Sequence, residues 1–125
     1  MNTVLIVDDQ ADIRRMLSFA LSDEFSLLEA TDGKSALEMI RAHKPDVVLL
    51  DIMMPGEMDG LQVLNTLRST TELQATRVIM VSARGQAQDY EIGMKSGANA
   101  YFVKPFSPAQ LIAEIHEQIA ASVHN

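Results

Sequence analysis

Asp46-Val47-Val48-Leu49-Leu50-Asp51-Ile52-Met53-Met54-Pro55 is the stretch on which the fold turns. The apolar run Val47 to Leu50 shows no alternation and is too short for a helix. Such a run reads as a strand buried on both faces, the habit of parallel sheets. It ends in the carboxylate of Asp51, and Pro55 and Gly56 then turn the chain away. Asp51 is therefore expected at the carboxyl end of a central strand, the edge where open α/β sheets bind their ligands. By itself a strand-end aspartate can equally be a helix cap or a solvated charge. The other strand ends decide.

Outward from this strand, strand and helix patterns alternate. Thr3–Val7 is an apolar strand stopped by Asp8 and Asp9. The helix after it places Ile13, Met16, Leu17, Ala20 and Leu21 at spacings of three and four. Phe25–Ala30 is a second strand, polar enough for a sheet edge, and Thr31-Asp32-Gly33 opens a helix with Ala36, Leu37 and Ile40 on its apolar face. That helix ends near His43 and Lys44, with Pro45 as its stop. Asp46–Leu50 is the third strand, and a helix with Leu61, Leu64 and Leu67 follows. Thr76–Val81 is the fourth strand, ended by Ser82. The helix from about Gln86 to Ser96 has the weakest stripe, Ala87, Tyr90 and Met94. Asn99–Val103 is the fifth strand, ended by Lys104-Pro105. Ser107-Pro108-Ala109-Gln110 reads as a capped start for a last helix with Leu111, Ile112, Ile115 and Ile119 inward.

Five strands alternating with five helices predict a doubly wound parallel sheet with helices on both faces. Five are too few for a closed eight-stranded barrel. At this length the natural arrangement is flavodoxin-like, strand order 2-1-3-4-5. Strands 1 and 3 are then neighbours at the switch point, and Asp8, Asp9 and Asp51 converge on one crevice.

Composition bounds the partners. The chain has 125 residues, expected to form one domain over 1–125, with 47% hydrophobic and 22% charged residues. It contains no cysteine, which excludes disulfides and thiolate metal sites. A formal net charge of -7 opposes direct binding to nucleic acid or to an anionic membrane. No apolar run approaches the ~20 residues of a membrane span. Thr3–Val7 has no basic region before it, so it reads as a strand and not as a signal peptide, and a cytoplasmic location is expected.

Three carboxylates in one crevice repel one another unless a cation sits among them. With hard oxygen ligands and no histidine or cysteine beside them, Mg2+ (or Mn2+) fits better than zinc. Lys104 at the end of strand 5 can add an ammonium, and Ser82 at the end of strand 4 a hydroxyl. Together these are the parts needed to receive a phosphoryl group. Cations neutralise charge on the phosphoryl oxygens while the Asp51 carboxylate attacks.

At this point the sequence resembles the receiver domain of two-component response regulators, the CheY-like family. The resemblance runs from about Thr3 to Ala121. It rests on Val7-Asp8-Asp9, Leu50-Asp51-Ile52-Met53-Met54-Pro55-Gly56, Met58-Asp59-Gly60, Val81-Ser82-Ala83, Gly97-Ala98 and Lys104-Pro105-Phe106. Each piece is weak alone; in this order and spacing they are specific. The resemblance implies that Asp51 accepts phosphate from a histidine kinase. It implies that Asp9 is a direct Mg2+ ligand, with Asp8 its partner, and that Met53 offers its backbone carbonyl. It further implies that Ser82 is the switch hydroxyl, Tyr101 the switch aromatic, and Lys104 the lysine on the phosphate, followed by a Lys104–Pro105 bond that is usually cis. Glu57 lengthens the loop by one residue, for which a local bulge is expected. Met53 and Arg84 stand at the variable positions flanking the site and leave the phosphoryl lifetime open.

Other uses of these residues are blander. Asp8 and Asp9 can favour a helix N-terminus, Lys104 can be a surface lysine, Ser82 a cap, and Tyr101 a core aromatic. The eight methionines read mostly as core filler. His43, His116 and His124 lie away from the strand ends. A dehalogenase-like phosphatase would need an aspartate where Met53 stands. An FMN carrier would not place an acidic pair after its first strand. The full set of Asp9, Asp51, Ser82 and Lys104 argues against a pseudo-receiver. Expected partners are a histidine kinase or histidine phosphotransfer protein, an output protein or domain of unknown kind, and a second copy in a phosphorylation-dependent dimer. The donor is expected to meet the first helix and the Lys104–Phe106 loop, with Ile13, Arg14 and Phe106 in contact.

Overall fold

The β-branched and leucine-rich runs form five parallel strands in the computed structural model. It describes residues 1–52, 54, 56, 58–82 and 87–123, with only the backbone at 87–89, 122 and 123. The strands are β1 (Thr3–Val7), β2 (Ser26–Ala30), β3 (Val47–Asp51), β4 (Arg77–Ser82) and β5 (Ala100–Val103). Between and after them lie α1 (Ala11–Leu21), α2 (Gly33–His43), α3 (Gly60–Ser69), α4 (Ala87–Lys95) and α5 (Pro108–Val123). The sheet order is β2-β1-β3-β4-β5, as expected. Each expected strand lies within a residue of its observed bounds. Asp51 and Ser82 prove to be the last strand residues and not the residues just beyond.

The sheet is buried on both faces. Val7, Val48, Leu50, Val78 and Met80 meet α2 and α3 on one side. Val4, Ile6, Val47, Leu49 and Ile79 meet α1 and α5 on the other. All of β3 is buried, which is why its sequence carries no alternation. At roughly 1.5–3 kcal/mol per buried aliphatic side chain, these two clusters hold the strand ends in fixed register.

The helix ends follow their local chemistry. The Asp32 carboxylate caps α2 by accepting from the Ser35 amide at 2.8 Å. Asp59 and Gln62 form a reciprocal capping box at α3. Lys44 ends α2 in the left-handed region at φ 46°. Ser107 accepts from the Gln110 amide at 3.3 Å, as its position before Pro108 predicts.

Two expectations need correction. Met16 does not lie on the buried stripe of α1; it is 44% exposed, and Phe19 beside it is 88% exposed, because Leu17 and Leu21 alone turn fully inward. Tyr90 of α4 is half exposed and packs edge-on against Tyr101 at 5.7 Å. The methionines are mostly core filler, as expected: Met54 and Met80 are buried, Met39, Met58 and Met94 pack against the core, and of the described ones only Met1 and Met16 are exposed. The expected start of the fourth helix at Gln86 and the expected bulge at Glu57 lie outside the described residues.

A short 3-10 turn at Thr71–Leu73 follows α3 and had no clear signature in the sequence. Beside it, Arg68 ties the far edge of the sheet together. Its guanidinium donates to the carbonyls of Gly97 at 2.9 Å and Thr76 at 2.7 Å, and to the Asn99 side chain at 3.0 Å. Gly97 takes φ +107°, and a Cβ there would press on the Arg68 side chain.

Candidate functional site

The carboxyl ends of β1, β3 and β5 bring Asp8, Asp9, Asp51 and Lys104 into one pocket. Asp8, Asp9 and Asp51 offer carboxylate oxygens that all lie within 4.8 Å of one another. Asp8 is 2% exposed and Asp51 4%, whereas Asp9 faces solvent. Two buried carboxylates this close need a positive partner. Lys104 supplies one: its ammonium lies 2.9 Å from Asp8 Oδ2 and 3.8 Å from Asp51 Oδ1.

Each side chain is placed by backbone that has little freedom. The Ile52 amide donates to the Val81 carbonyl at 3.3 Å, extending β3–β4 pairing past Asp51. Gly60, first residue of α3, donates to the Ile52 carbonyl at 3.1 Å. A Cβ on Gly60 would overlap the Asp51 carbonyl and come within 2.7 Å of Ile52 Cα, so only glycine lets α3 start so close to the strand end. On the other side, the Lys104 amide donates to the Ser82 carbonyl at 2.7 Å. Lys104 and Pro105 are joined by a cis peptide bond.

Ser82 is fully buried. It pairs with Val103, two rungs beyond the Met80–Tyr101 pair, so Ser82 and Tyr101 share the sheet face that α4 covers. The Tyr101 ring lies against Gly93, where an added Cβ would sit 3.3 Å from it, and against Tyr90. Met53, expected to offer a carbonyl, and Arg84, at the second flanking position, lie outside the described residues.

The residues expected to meet a donor are less free than the sequence implied. Ile13 and Phe106 are half-buried against the α1–α5 core, Phe106 edge-on to Phe102 at 6.3 Å. Arg14 reaches back to donate to the Asp8 carbonyl at 2.9 Å. Sequence spacing missed this contact, since nothing in an i, i+6 pair marks a side chain that folds over its own turn. His43 and His116 lie away from the pocket; His116 bonds Glu24 at 2.9 Å and packs on Phe25.

A parallel five-stranded sheet with an acid cluster and a lysine at its switch point defines the class. Residues 4–116 match the model of the response regulator receiver domain, and the chain belongs to that family. It is 40% identical over 113 residues to the phosphate regulon transcriptional regulatory protein PhoB of Klebsiella pneumoniae, an overlap of 90% of this chain and 49% of that one. It is 42% identical over 115 residues to the transcriptional regulatory protein SrrA of Staphylococcus aureus, covering 91% of this chain and 46% of the relative. The chain thus spans about half the length of the curated relatives it matches. Among solved structures, the Francisella response regulator 1452 receiver domain superposes with a TM-score of 0.90 at 32% identity, covering 98% and 99% of the two chains. The chemotaxis protein CheY4 of Vibrio cholerae gives a TM-score of 0.86 at 30% identity, covering 94% and 98%. Among the described residues no helix is long and apolar enough to cross a membrane.

Proposed function

We propose that this receiver is a phosphoacceptor switch of a two-component pathway, with Asp51 as the phosphorylated residue. The observation that carries the reading is the triad Asp8, Asp9 and Asp51 closed by the Lys104 ammonium. Three strand ends, of β1, β3 and β5, converge there on groups that serve phosphoryl transfer. Asp8, Asp9, Asp51 and the Met53 carbonyl would hold Mg2+, or Mn2+, which supplies positive charge opposite the phosphoryl oxygens. The fit rests on the donor set, three hard carboxylates within one ion's reach, two of them buried. The Asp51 carboxylate attacks phosphorus, and the new O–P bond forms as the P–N bond of a phosphohistidine donor breaks. Lys104 stays close enough to neutralise the transferred group.

Ser82 then donates its hydroxyl to a phosphoryl oxygen. Tyr101, two rungs away on the same face, turns into the space so freed, and the α4–β5 surface changes for its reader. The donor is a histidine kinase or histidine phosphotransfer protein. The reader is an output domain or protein, or a second copy of the chain in a phosphorylation-dependent dimer. The chain acts as one cytoplasmic receiver unit over 1–125, without a substrate of its own beyond this phosphoryl group and without direct contact to DNA.

Incubation with acetyl phosphate and Mg2+, followed by intact mass and site mapping, tests the assignment. One phosphoryl group on Asp51, lost in Asp51→Asn and strongly reduced in Asp9→Ala, is expected. Undiminished labelling in Asp51→Asn would sink it.

A further inference from the structure

Asp8 is held at each of its polar groups, and the holders come from separate parts of the fold. Its amide donates to the Ala30 carbonyl at 3.2 Å. Its Oδ1 accepts from the Gln10 amide at 2.9 Å, and its Oδ2 from Lys104 at 2.9 Å. Its carbonyl accepts from Arg14 Nη1 at 2.9 Å. That carbonyl belongs to the peptide joining Asp8 to Asp9. The Asp9 carboxylate, by contrast, is exposed and has no hydrogen-bond or ion-pair partner among the described residues. The Asp8–Asp9 peptide sets where the Asp9 side chain leaves the backbone, and among the described residues the only side chain bonded to that peptide's oxygen is Arg14.

Arg14 is itself fixed. Its Nε donates to Glu29 of β2 at 3.2 Å, and its side chain is 19% exposed. The planar guanidinium fork serves both partners from one rigid head, which a lysine cannot do. We infer that Arg14 is a positioning residue for the metal site: it locks the Asp8–Asp9 peptide so that the Asp9 carboxylate stands ready beside Asp8 and Asp51. This rests on the reading of the acid cluster as a Mg2+ site. It gives Arg14 a role besides the donor contact expected of it from the sequence.

The sign of one measurement separates this role from its competitor. Arg14 is a cation near an acidic pocket, so on charge alone its removal tightens Mg2+ binding and Arg14→Lys changes nothing. On positioning, both variants weaken it. Outer-shell groups that orient metal ligands typically control affinity by 10–100-fold, and a contact made through the peptide belongs at the low end, about tenfold for Arg14→Met, with Arg14→Lys between that and wild type.

The chain has no tryptophan, so the readout is calorimetry, or amide NMR of Asp8, Asp9 and Gln10 during a Mg2+ titration of the full chain. Melting of the metal-free variants runs alongside, because a role in packing alone lowers the melting temperature and leaves the dissociation constant unmoved. Weaker Mg2+ binding by both variants, with the Asp9 amide shifted before metal is added, supports the assignment. Arg14→Met that binds Mg2+ as tightly as wild type, or more tightly, overturns it. Should Arg14→Met not fold, Arg14→Lys decides by the same criterion. A wild type that binds no Mg2+ overturns the metal reading and this inference together, whereas a wild type that binds beside an unaltered Arg14→Met overturns this inference alone.

Discussion

Replacing Lys104 with methionine keeps an unbranched side chain one atom shorter and removes the ammonium that bridges Asp8 and Asp51. At 2.9 and 3.8 Å, and an effective dielectric near 20, the two attractions amount to roughly 4–6 kcal/mol each before desolvation. Desolvation of a lysine that is 15% exposed offsets much of that sum. What remains on removal is the penalty of an uncompensated buried charge, about 3–5 kcal/mol. The variant has an alternative, to take up a proton on one carboxyl. For an ordinary aspartate that costs about 4 kcal/mol at pH 7, which sets a ceiling. Lys104→Met should therefore lose about 3–4 kcal/mol in metal-free buffer, or roughly 10–15 °C in melting temperature for a domain of this size. Mg2+ should restore much of it, because the ion no longer competes with an ammonium for the same oxygens. At one hundred times the dissociation constant a site stabilises by ~2.7 kcal/mol, and at a fixed Mg2+ concentration the variant's gain should exceed the wild type's. Urea unfolding with EDTA and with Mg2+ measures both quantities. A loss below ~1 kcal/mol without metal, or a Mg2+ gain no larger than wild type, would refute the view that Lys104 balances the two buried carboxylates.

Gly60→Ala should drive the start of α3 away from the end of β3. Overpacking of this kind costs about 1–3 kcal/mol, and here the neighbours are main-chain atoms that cannot rotate aside. Slower labelling of Asp51 by acetyl phosphate should accompany the loss of stability, and an unaltered variant would show that α3 has room to spare. Ser35→Ala probes the cap of α2: the Ser35 amide and hydroxyl hold the Asp32 carboxyl below its usual range, with a smaller contribution from Lys34. A carboxyl depressed in the folded state adds stability above its unfolded value near 4, lost as pH falls through the folded value. Loss of the hydroxyl should move Asp32 upward in a carbon-detected NMR titration and flatten that acid-side dependence; an unmoved titration would leave the amide as the whole cap.

The strands were legible because β3 and its neighbours are buried on both faces, so their hydrophobic runs admit no other use. The strand-end acids were legible for the opposite reason: charges that interrupt such runs have no place in a core unless they serve a site. Helix faces read less well. On α1, Met16 satisfies the spacing rule as well as Leu17 does, and only the packing against α5 decides that Leu17 turns inward and Met16 out. Tyr90 failed in the same way, because α4 meets the sheet through Gly93, a residue with no side chain to enter a hydrophobic stripe. Arginine was the least legible residue type. Arg68 reaches partners 29 and 31 positions away, and Arg14 folds back over its own turn, so neither contact leaves a period in the sequence.

That blind spot bears on how the pocket and the reading surface are joined. Lys104 bridges the two: its ammonium sits among the carboxylates, while its amide donates to the Ser82 carbonyl at 2.7 Å. Ser82 and Tyr101 follow one another on a single sheet face, and Tyr101 rests on α4 at Gly93 and Tyr90. At the far edge, Arg68 grips Gly97 and Asn99, just past the end of α4. In the proposed switch, a shift that begins at Ser82 therefore meets a helix whose following residues are tied down behind its carboxyl end. In that switch the Tyr101 contact passes the shift to α4, and the hold on Gly97 and Asn99 behind the helix turns the shift into a tilt.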